Sequence, residues 1–391
     1  MKYNDFKKSP SGHLVPTVYG EQAFVPHPLP PKLDLEALAA PLAEAMIAIG
    51  ELRGACRRLQ NPYILIRPLQ RLEAQTSSAM EGTYTTADEL ALAEAGLEGE
   101  KKYEAREVAN YTSALAWAIK EMEQMPLSGR LFRGAHEILL KRVGQQRGQD
   151  KRPGEYKHDQ NMIGGQRLEN ARFIPPPPDE AVEAMTALER YINRDDKNSA
   201  LALIDLALVH YQFETIHPFA DGNGRVGRML ISLMAISEGL LDEPVLYMSP
   251  ELEEVKDDYI DLMYCVSSKG DWNKWIGFFL KILALSCKRT ISTIDRVLAL
   301  QTSYIARASE VSRSNNMVAL INLLFENPVI RAKQVAERLS VTDAAARNLI
   351  NTLVNEGILV QLHQYYPAVW FAAELSAVSR PRHDGLETAY R

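Results

Sequence analysis

The chain has 391 residues, 46% of them hydrophobic, with 44 basic side chains against 50 acidic ones for a formal net charge of −6. That length predicts two or three domains with ample core, and the charge balance gives no reason to expect a nucleic-acid or anionic-membrane partner. Three scattered cysteines, Cys56, Cys265 and Cys287, argue for reduced thiols. With no apolar leader and no apolar run of about 18 residues, the expectation is a soluble cytoplasmic protein without a membrane partner.

In chain order, residues 1–33 are punctuated by Pro16, Pro26, Pro28, Pro30 and Pro31, which reads as an extended arm. Helical spacing follows through Leu35, Leu38, Leu42, Met46, Ile49 and Leu52, and again from Tyr63 to Met80. Gly82 then reads as a helix C-cap beside an exposed Glu81. Helices continue through residues 85–150, where His136 reads as a packed helix histidine. The stretch 153–178 breaks the pattern and predicts a β-hairpin ended by Pro175 to Pro178.

Residues 200–215 are apolar at helical spacing, and a second helix is expected from Arg225 to Gly239. Between them lies His217-Pro-Phe-Ala-Asp221-Gly-Asn223-Gly-Arg225-Val-Gly-Arg228. Three glycines would weaken any helix or strand interior, so this composition asks for a chemical reason. Gly222 and Gly224 can take positive φ, letting backbone N–H groups converge on an anion at the positive end of the following helix. Phosphate is the anion expected, with Arg225 and Arg228, three residues apart, aimed at the same ligand. Asp221 beside a polyphosphate calls for Mg²⁺, and His217 is the candidate general base. Gly222 to Gly227 also matches a dinucleotide-binding G-x-G-x-x-G, but a helix precedes it where that fold needs a strand. No P-loop pattern occurs, and His210 lacks the neighbours that would make it a metal ligand.

The remaining sequence predicts helices over 246–310, with Trp272 and Trp275 as core anchors. A polar boundary at Ser312 to Asn316 precedes helices at Val318 to Phe325, Ala332 to Leu339 and Thr342 to Glu356. Two short strands after Ile358 complete a winged-helix pattern. From Met317 to Phe371 four basic residues meet four acidic ones, so protein contact or dimerisation is favoured over DNA. The expected organisation is an N-terminal arm and helical region (1–100), a catalytic core (101–245), a helical connector (246–310), a winged-helix-like domain (311–375) and a flexible tail (376–391).

Residues 217–228 resemble the Fic family signature H-x-F-x-[DE]-G-N-G-R-x-x-R at every specified position. The resemblance implies a mainly α Fic-type core with a small β-hairpin flap, and transfer of AMP from Mg·ATP to a Ser, Thr or Tyr hydroxyl of a protein. His217 would deprotonate that hydroxyl, Phe219 would anchor the loop and Asp221 would hold Mg²⁺. Gly222, Asn223 and Gly224 would cradle the phosphates, and Arg225 and Arg228 would neutralise them. Ile163 and Gly164 of the flap, with Tyr259, are counted among the ATP-binding residues. Related Doc kinases place lysine where this chain has Gly224, which favours nucleotidyl transfer.

Ser77-Ser-Ala-Met-Glu81-Gly82 resembles the family's inhibitory motif, in which Ser77 opens the segment and Glu81 would pair with Arg228. The flap, by resemblance, docks the target peptide backbone, although Lys157 stands where relatives usually have arginine. The family habit also suggests a homodimer. Two other readings stay open: a hydrolase that removes AMP with the help of Glu81, and a nucleotide-sensing transcriptional regulator acting through the winged helix.

Overall fold

The computed structural model describes residues 1–57, 63–97, 102–143, 151–311 and 314–378. Part of the expected 312–316 boundary and most of the expected tail lie outside these residues.

Two helices form the centre. Helix α8 (Ala202–Ile216) is buried along its whole length, and α9 (Asn223–Ser237) is buried from Asn223 to Ala235. Apolar residues all round α8 leave it no solvent face, so it sits inside the other helices rather than on them. Trp275 is fully buried and its indole N–H donates to the Ala207 carbonyl at 2.9 Å, pinning α12 (Trp272–Val311) against α8. The connector expected as several helices is largely one 40-residue helix, preceded by α10 (Ser249–Glu254) and α11 (Lys256–Lys269). Helix α12 packs along α2 (Leu35–Arg57).

Helix α3 (Tyr63–Ala79) carries the inhibitory-motif serine into the centre. It is held by Glu73, buried and bonded to the Ser249 N–H at 3.1 Å and to the Tyr111 hydroxyl at 3.2 Å. Tyr111 belongs to α5 (Lys102–Glu121), which follows α4 (Ala87–Glu94). Thr86 caps α4 through a reciprocal bond with Glu89, satisfying two N–H groups that the helix start leaves open. Helices α6 (Gly129–Leu139) and α7 (Pro178–Ile192) complete the shell.

The first 33 residues are not a plain extended arm. They form a helical turn, α1 (Tyr3–Phe6), and an antiparallel hairpin of β1 (Gly12–Pro16) with β2 (Gln22–Pro26), in register Leu14 to Phe24. Of the prolines that suggested a linker, Pro16 and Pro26 stand at the strand ends, where a missing N–H costs no ladder bond, and Pro28, Pro30 and Pro31 follow the hairpin. Phe6, Phe24 and Phe173 cluster, and the Phe24 N–H donates to the Ile174 carbonyl at 2.9 Å, so this hairpin underlies the 153–178 segment. That segment forms no two-stranded hairpin of the kind expected. A single antiparallel bridge joins Ile163 to Phe173.

At the C-terminal end, α13 (Asn315–Glu326), α14 (Ala332–Leu339) and α15 (Asp343–Asn355) pack together. Thr342 caps α15 by accepting from the Ala345 N–H, as its sequence position suggested. Strands β3 (Val329–Ile330), β4 (Val360–Leu362) and β5 (Val369–Phe371) form one antiparallel sheet with β5 central. The pair expected after Ile358 is present, and the two-residue β3 adds a third strand. No helix among the described residues is long and apolar enough to cross a membrane.

Candidate functional site

The site is made where α8 stops and α9 starts. His217 caps α8 in the left-handed region (φ 49°, ψ 59°), its N–H bonded to the Phe213 carbonyl. Such a conformation is uncommon outside glycine and is held only by surroundings that over-determine it. Gly222, at φ 78°, then turns the chain into α9.

Three side chains hold the loop between them. Phe219 is fully buried and stacks on the His136 ring with centroids 3.9 Å apart. His136 Nε2 donates to the Asp221 carbonyl and Nδ1 accepts from the Gly154 N–H, each at 3.0 Å. This use of both ring nitrogens needs a neutral imidazole, and burial lowers the His136 pKa to about 4. Asn223 accepts from the Phe219 N–H and donates to the Phe219 carbonyl, both at 2.8 Å. Its carboxamide is therefore engaged within the loop, and Asn223 does not line the cavity around Arg228.

Arg225 also departs from expectation. Its guanidinium is fully buried and ion-paired with Glu107 of α5, and it does not line the cavity that Arg228 faces. Spacing of i and i+3 puts two side chains on one helix face, but here α5 supplies a carboxylate to the first of them. Glu107 also accepts from the Thr83 hydroxyl at 3.2 Å, which ties the segment just after Glu81 to the same pair.

Arg228 faces a cavity whose wall includes Glu81, Ile163, Glu214, His217, Gly224 and Tyr259. Five residues singled out beside Arg228 in the sequence thus meet in one place. Asp221, Gly222, Asn223, Arg225, Gly164, Ser77 and Phe219 lie outside that wall. Gly164 turns the flap at φ 62°, and a Cβ there would meet Arg172. Ser77 is buried behind the arginine, its hydroxyl accepting from Arg228 Nε at 2.9 Å and its carbonyl from Nη2 at 2.8 Å. Glu81 Oε1 accepts from the same Nη2 at 2.9 Å, with the carboxylate one-third exposed. Burial alone would raise the Glu81 pKa, but attraction and hydrogen bonding to Arg228 outweigh it and hold the carboxyl below its usual range.

Gly224 lies directly under this pair. A Cβ there would fall 2.1 Å from Glu81 Oε1 and 2.8 Å from Arg228 Nη1. The glycine is what lets the carboxylate reach the arginine across the start of α9.

His217 enters the same cavity. Its Nδ1 lies 3.2 Å from the Glu214 carbonyl, an acceptor, so Nδ1 carries the hydrogen and Nε2 keeps its lone pair. Burial, with a further push from the Lys157 ammonium, lowers its pKa to about 4. Lys157 is itself buried, its Nζ donating to Asn161 Oδ1 at 2.7 Å and reaching the Ile216 carbonyl at 3.4 Å. Burial lowers its pKa to about 7. The lysine thus braces the end of α8 from within.

Tyr259 is buried, and its hydroxyl bonds His210 Nε2 at 2.9 Å while His210 Nδ1 reaches the Gly227 carbonyl at 3.0 Å. His210 is accordingly a packed imidazole. Sequence reasoning missed Glu214, a buried cavity residue whose Oε1 lies against Gly227 without a hydrogen-bond partner. Burial raises its pKa to about 7. It also missed Lys256, which donates to the Met80 carbonyl at 2.7 Å beside Glu81. An acidic residue just before the signature was the one available hint of Glu214; nothing in the sequence marked Lys256.

Asp221 suits a Mg²⁺ ion shared with phosphate. Its carboxylate is about a quarter exposed, and Oδ1 accepts from the Gly222 N–H and lies 3.5 Å from Arg225. Among the described residues no three acidic, histidine or cysteine side chains form a metal cage. One carboxylate plus substrate oxygens and water is the arrangement that Mg²⁺ commonly takes.

Family models of the Fic/DOC family N-terminal region and of the Fic/DOC family match residues 39–120 and 126–235. Protein adenylyltransferase Fic of Drosophila mojavensis is 35% identical over 86 residues, and that of Drosophila melanogaster 34% over the same length. Each match spans 22% of this chain and 16% of the relative. Among solved structures, a Fic family protein from Desulfovibrio desulfuricans is 20% identical, covers 88% of this chain and 98% of its own, and has a TM-score of 0.57. Fic-1 of C. elegans is 20% identical over 69% of this chain and 76% of its own, with a TM-score of 0.51. These structures share the fold, the models cover both residues 77–82 and the signature loop, and the chain belongs to the Fic family.

Proposed function

We propose that this chain is a protein adenylyltransferase, transferring AMP from Mg·ATP to a Ser, Thr or Tyr hydroxyl of a protein, itself included. We further propose that the form described here is switched off by Glu81. The observation that carries this reading is the 2.9 Å pair between Glu81 and Arg228, lying over Gly224 in the cavity that His217 enters.

In the reaction, His217 Nε2 takes the proton of the incoming hydroxyl. The hydroxyl oxygen forms a bond to the α-phosphorus, the bond from that phosphorus to the bridging oxygen breaks, and pyrophosphate leaves. The Gly224 amide at the start of α9 favours the phosphate charge, as would that of Gly222, which in this form donates to Asp221. Asp221 would hold Mg²⁺, which when bound supplies charge neutralisation at the phosphates. Arg228 has one guanidinium to offer. While it is bonded to Glu81 and Ser77 it is not available to a terminal phosphate. Release of Glu81 turns that guanidinium toward ATP, with Ile163 and Tyr259 lining the wall near the base.

The bridged segment around Ile163 and Phe173 is the proposed docking edge for a target backbone. The divisions at 100, 245, 310 and 375, the winged-helix reading of the C-terminal part, a homodimer and a cytoplasmic setting belong to the same proposal.

The test uses Glu81→Gly protein with Mg²⁺ and ATP labelled at the α- or the γ-phosphate, with His217→Ala as control. Label retained on protein from the α-position alone, and lost with His217→Ala, is the expected result. Retention from the γ-position would make the enzyme a kinase. Retention from neither, together with AMP release from a previously modified target, would favour the hydrolase.

A further inference from the structure

Helices α3, α4, α5, α13 and α14 line a polar cleft of about 750 Å³ that shares no lining residue with the cavity around Arg228. Among the described residues its walls carry Arg67, Arg71, Arg106, Lys141, Arg142 and Arg338, with two carboxylates, Glu94 and Glu326. We propose that this cleft is a binding site for a small, multiply charged, phosphate-bearing ligand, distinct from the site that would hold ATP.

The charge is gathered from distant parts of the chain. Arg67 and Arg71 stand one turn apart on α3, Lys141 and Arg142 follow the end of α6, and Arg338 comes from α14. Arg71 is engaged by Glu94 at 2.6 Å and by the Glu326 carbonyl at 3.0 Å, and Arg338 by Glu326 at 2.5 Å. Arg67, Lys141 and Arg142 are exposed and make no ion pair among the described residues. Like charges collected this closely repel one another, and a bound polyanion relieves that repulsion.

The chemistry of the wall selects the ligand class. Guanidinium forks match phosphate oxygens in pairs, and Gln334 in the lining adds a hydrogen-bonding group without adding negative charge. The cleft is closed by helices on several sides and matches a small molecule in size. The four acidic residues that balance four basic ones between Met317 and Phe371 disfavour a nucleic-acid track continuing onto the C-terminal part. This inference does not depend on the reaction proposed above. It does bear on it, because α3 carries Arg67 and Arg71 on the same helix as Ser77, which lies near its C-terminal end.

The experiment is isothermal titration of the full chain with inorganic tripolyphosphate in magnesium-free buffer at about 50 mM salt. Binding of one tripolyphosphate per chain is expected, weakened at least about tenfold by Arg67→Ala with Arg142→Ala and changed less than about twofold by Arg228→Ala. Glu94→Gln, which frees Arg71, is expected to tighten binding, a gain that general damage to the fold would not produce. Absence of binding to about 1 mM overturns the proposal, as does binding lost with Arg228→Ala and untouched by the cleft substitutions. A single-stranded oligonucleotide that binds through the same arginines without being displaced by tripolyphosphate also overturns it, in favour of nucleic acid.

Discussion

Arg225 and Arg228 are three residues apart on the first turn of α9, both buried and both matched to a carboxylate from another part of the chain, yet the two surroundings differ. Arg225 is fully enclosed, and its partner Glu107 is buried within α5. Arg228 opens on the cavity, and its partner Glu81 is one-third exposed in the turn after α3. A buried ion pair with both partners enclosed can only hold the structure. One whose carboxylate reaches solvent from a turn can be exchanged for another anion at modest cost. The same residue type in the same motif thus serves as framework in one case and, in the reading proposed here, as a switch in the other.

The comparison breaks most visibly on the framework side. Glu107→Ala leaves the Arg225 guanidinium buried without its carboxylate, and a loss of about 3–5 kcal/mol is expected in chemical denaturation. A loss below about 1 kcal/mol would mean that Arg225 finds another partner and is not framework. Next in size is Gly224→Ala, which puts a methyl group 2.1 Å from Glu81 Oε1. It should cost roughly 1–3 kcal/mol. Most of that cost should vanish in a Glu81→Gly background, since the clashing oxygen is then gone; additive effects in this double-mutant cycle would count against the contact.

A smaller, pH-dependent effect is expected from Glu214. Its pKa is raised by burial from the ordinary 4.5 to about 7, so the folded protein holds a proton that the unfolded chain has released. Stability therefore falls as pH rises from 4.5 through 7. Glu214→Gln should be more stable than the parent by roughly 1–3 kcal/mol at pH 8 and equal to it at pH 4, read from denaturation midpoints at both pH values. The smallest effect concerns the base. Replacing the Lys157 cation in Lys157→Met should move the His217 pKa upward from about 4, as followed by histidine NMR titration; a downward move would exclude the lysine as a cause.

The loop from His217 to Arg228 was legible because its chemistry is concentrated in twelve neighbouring residues whose glycines and charges fit no core segment. The pairing of Glu81 with Arg228 came from family resemblance, since Glu81 and Gly82 by themselves read as a helix end. What shapes the loop was not legible. His136 reaches Asp221 across 85 residues of sequence, and Glu107 reaches Arg225 across 118, so neither partner leaves a local pattern. Asn223 was read by resemblance and Arg225 by its spacing from Arg228 as ligand contacts; their bonds to Phe219 and Glu107 left no trace in the local sequence. In the fold, the long buried helices were plain from periodicity. The β1–β2 hairpin was hidden by prolines at its strand ends, and β3, at two residues, is too short to show alternation.

The central claim is that Arg228 is shared between Glu81 and ATP, and it is tested most directly by the rate of AMP transfer in four proteins. These are the parent, Glu81→Gly, Arg228→Ala and the double variant. Loss of the Glu81 pair should raise transfer on the order of a hundredfold, and that gain should disappear when Arg228 is also removed. An equal gain in the presence and absence of Arg228, or no gain at all in Glu81→Gly, would contradict the account.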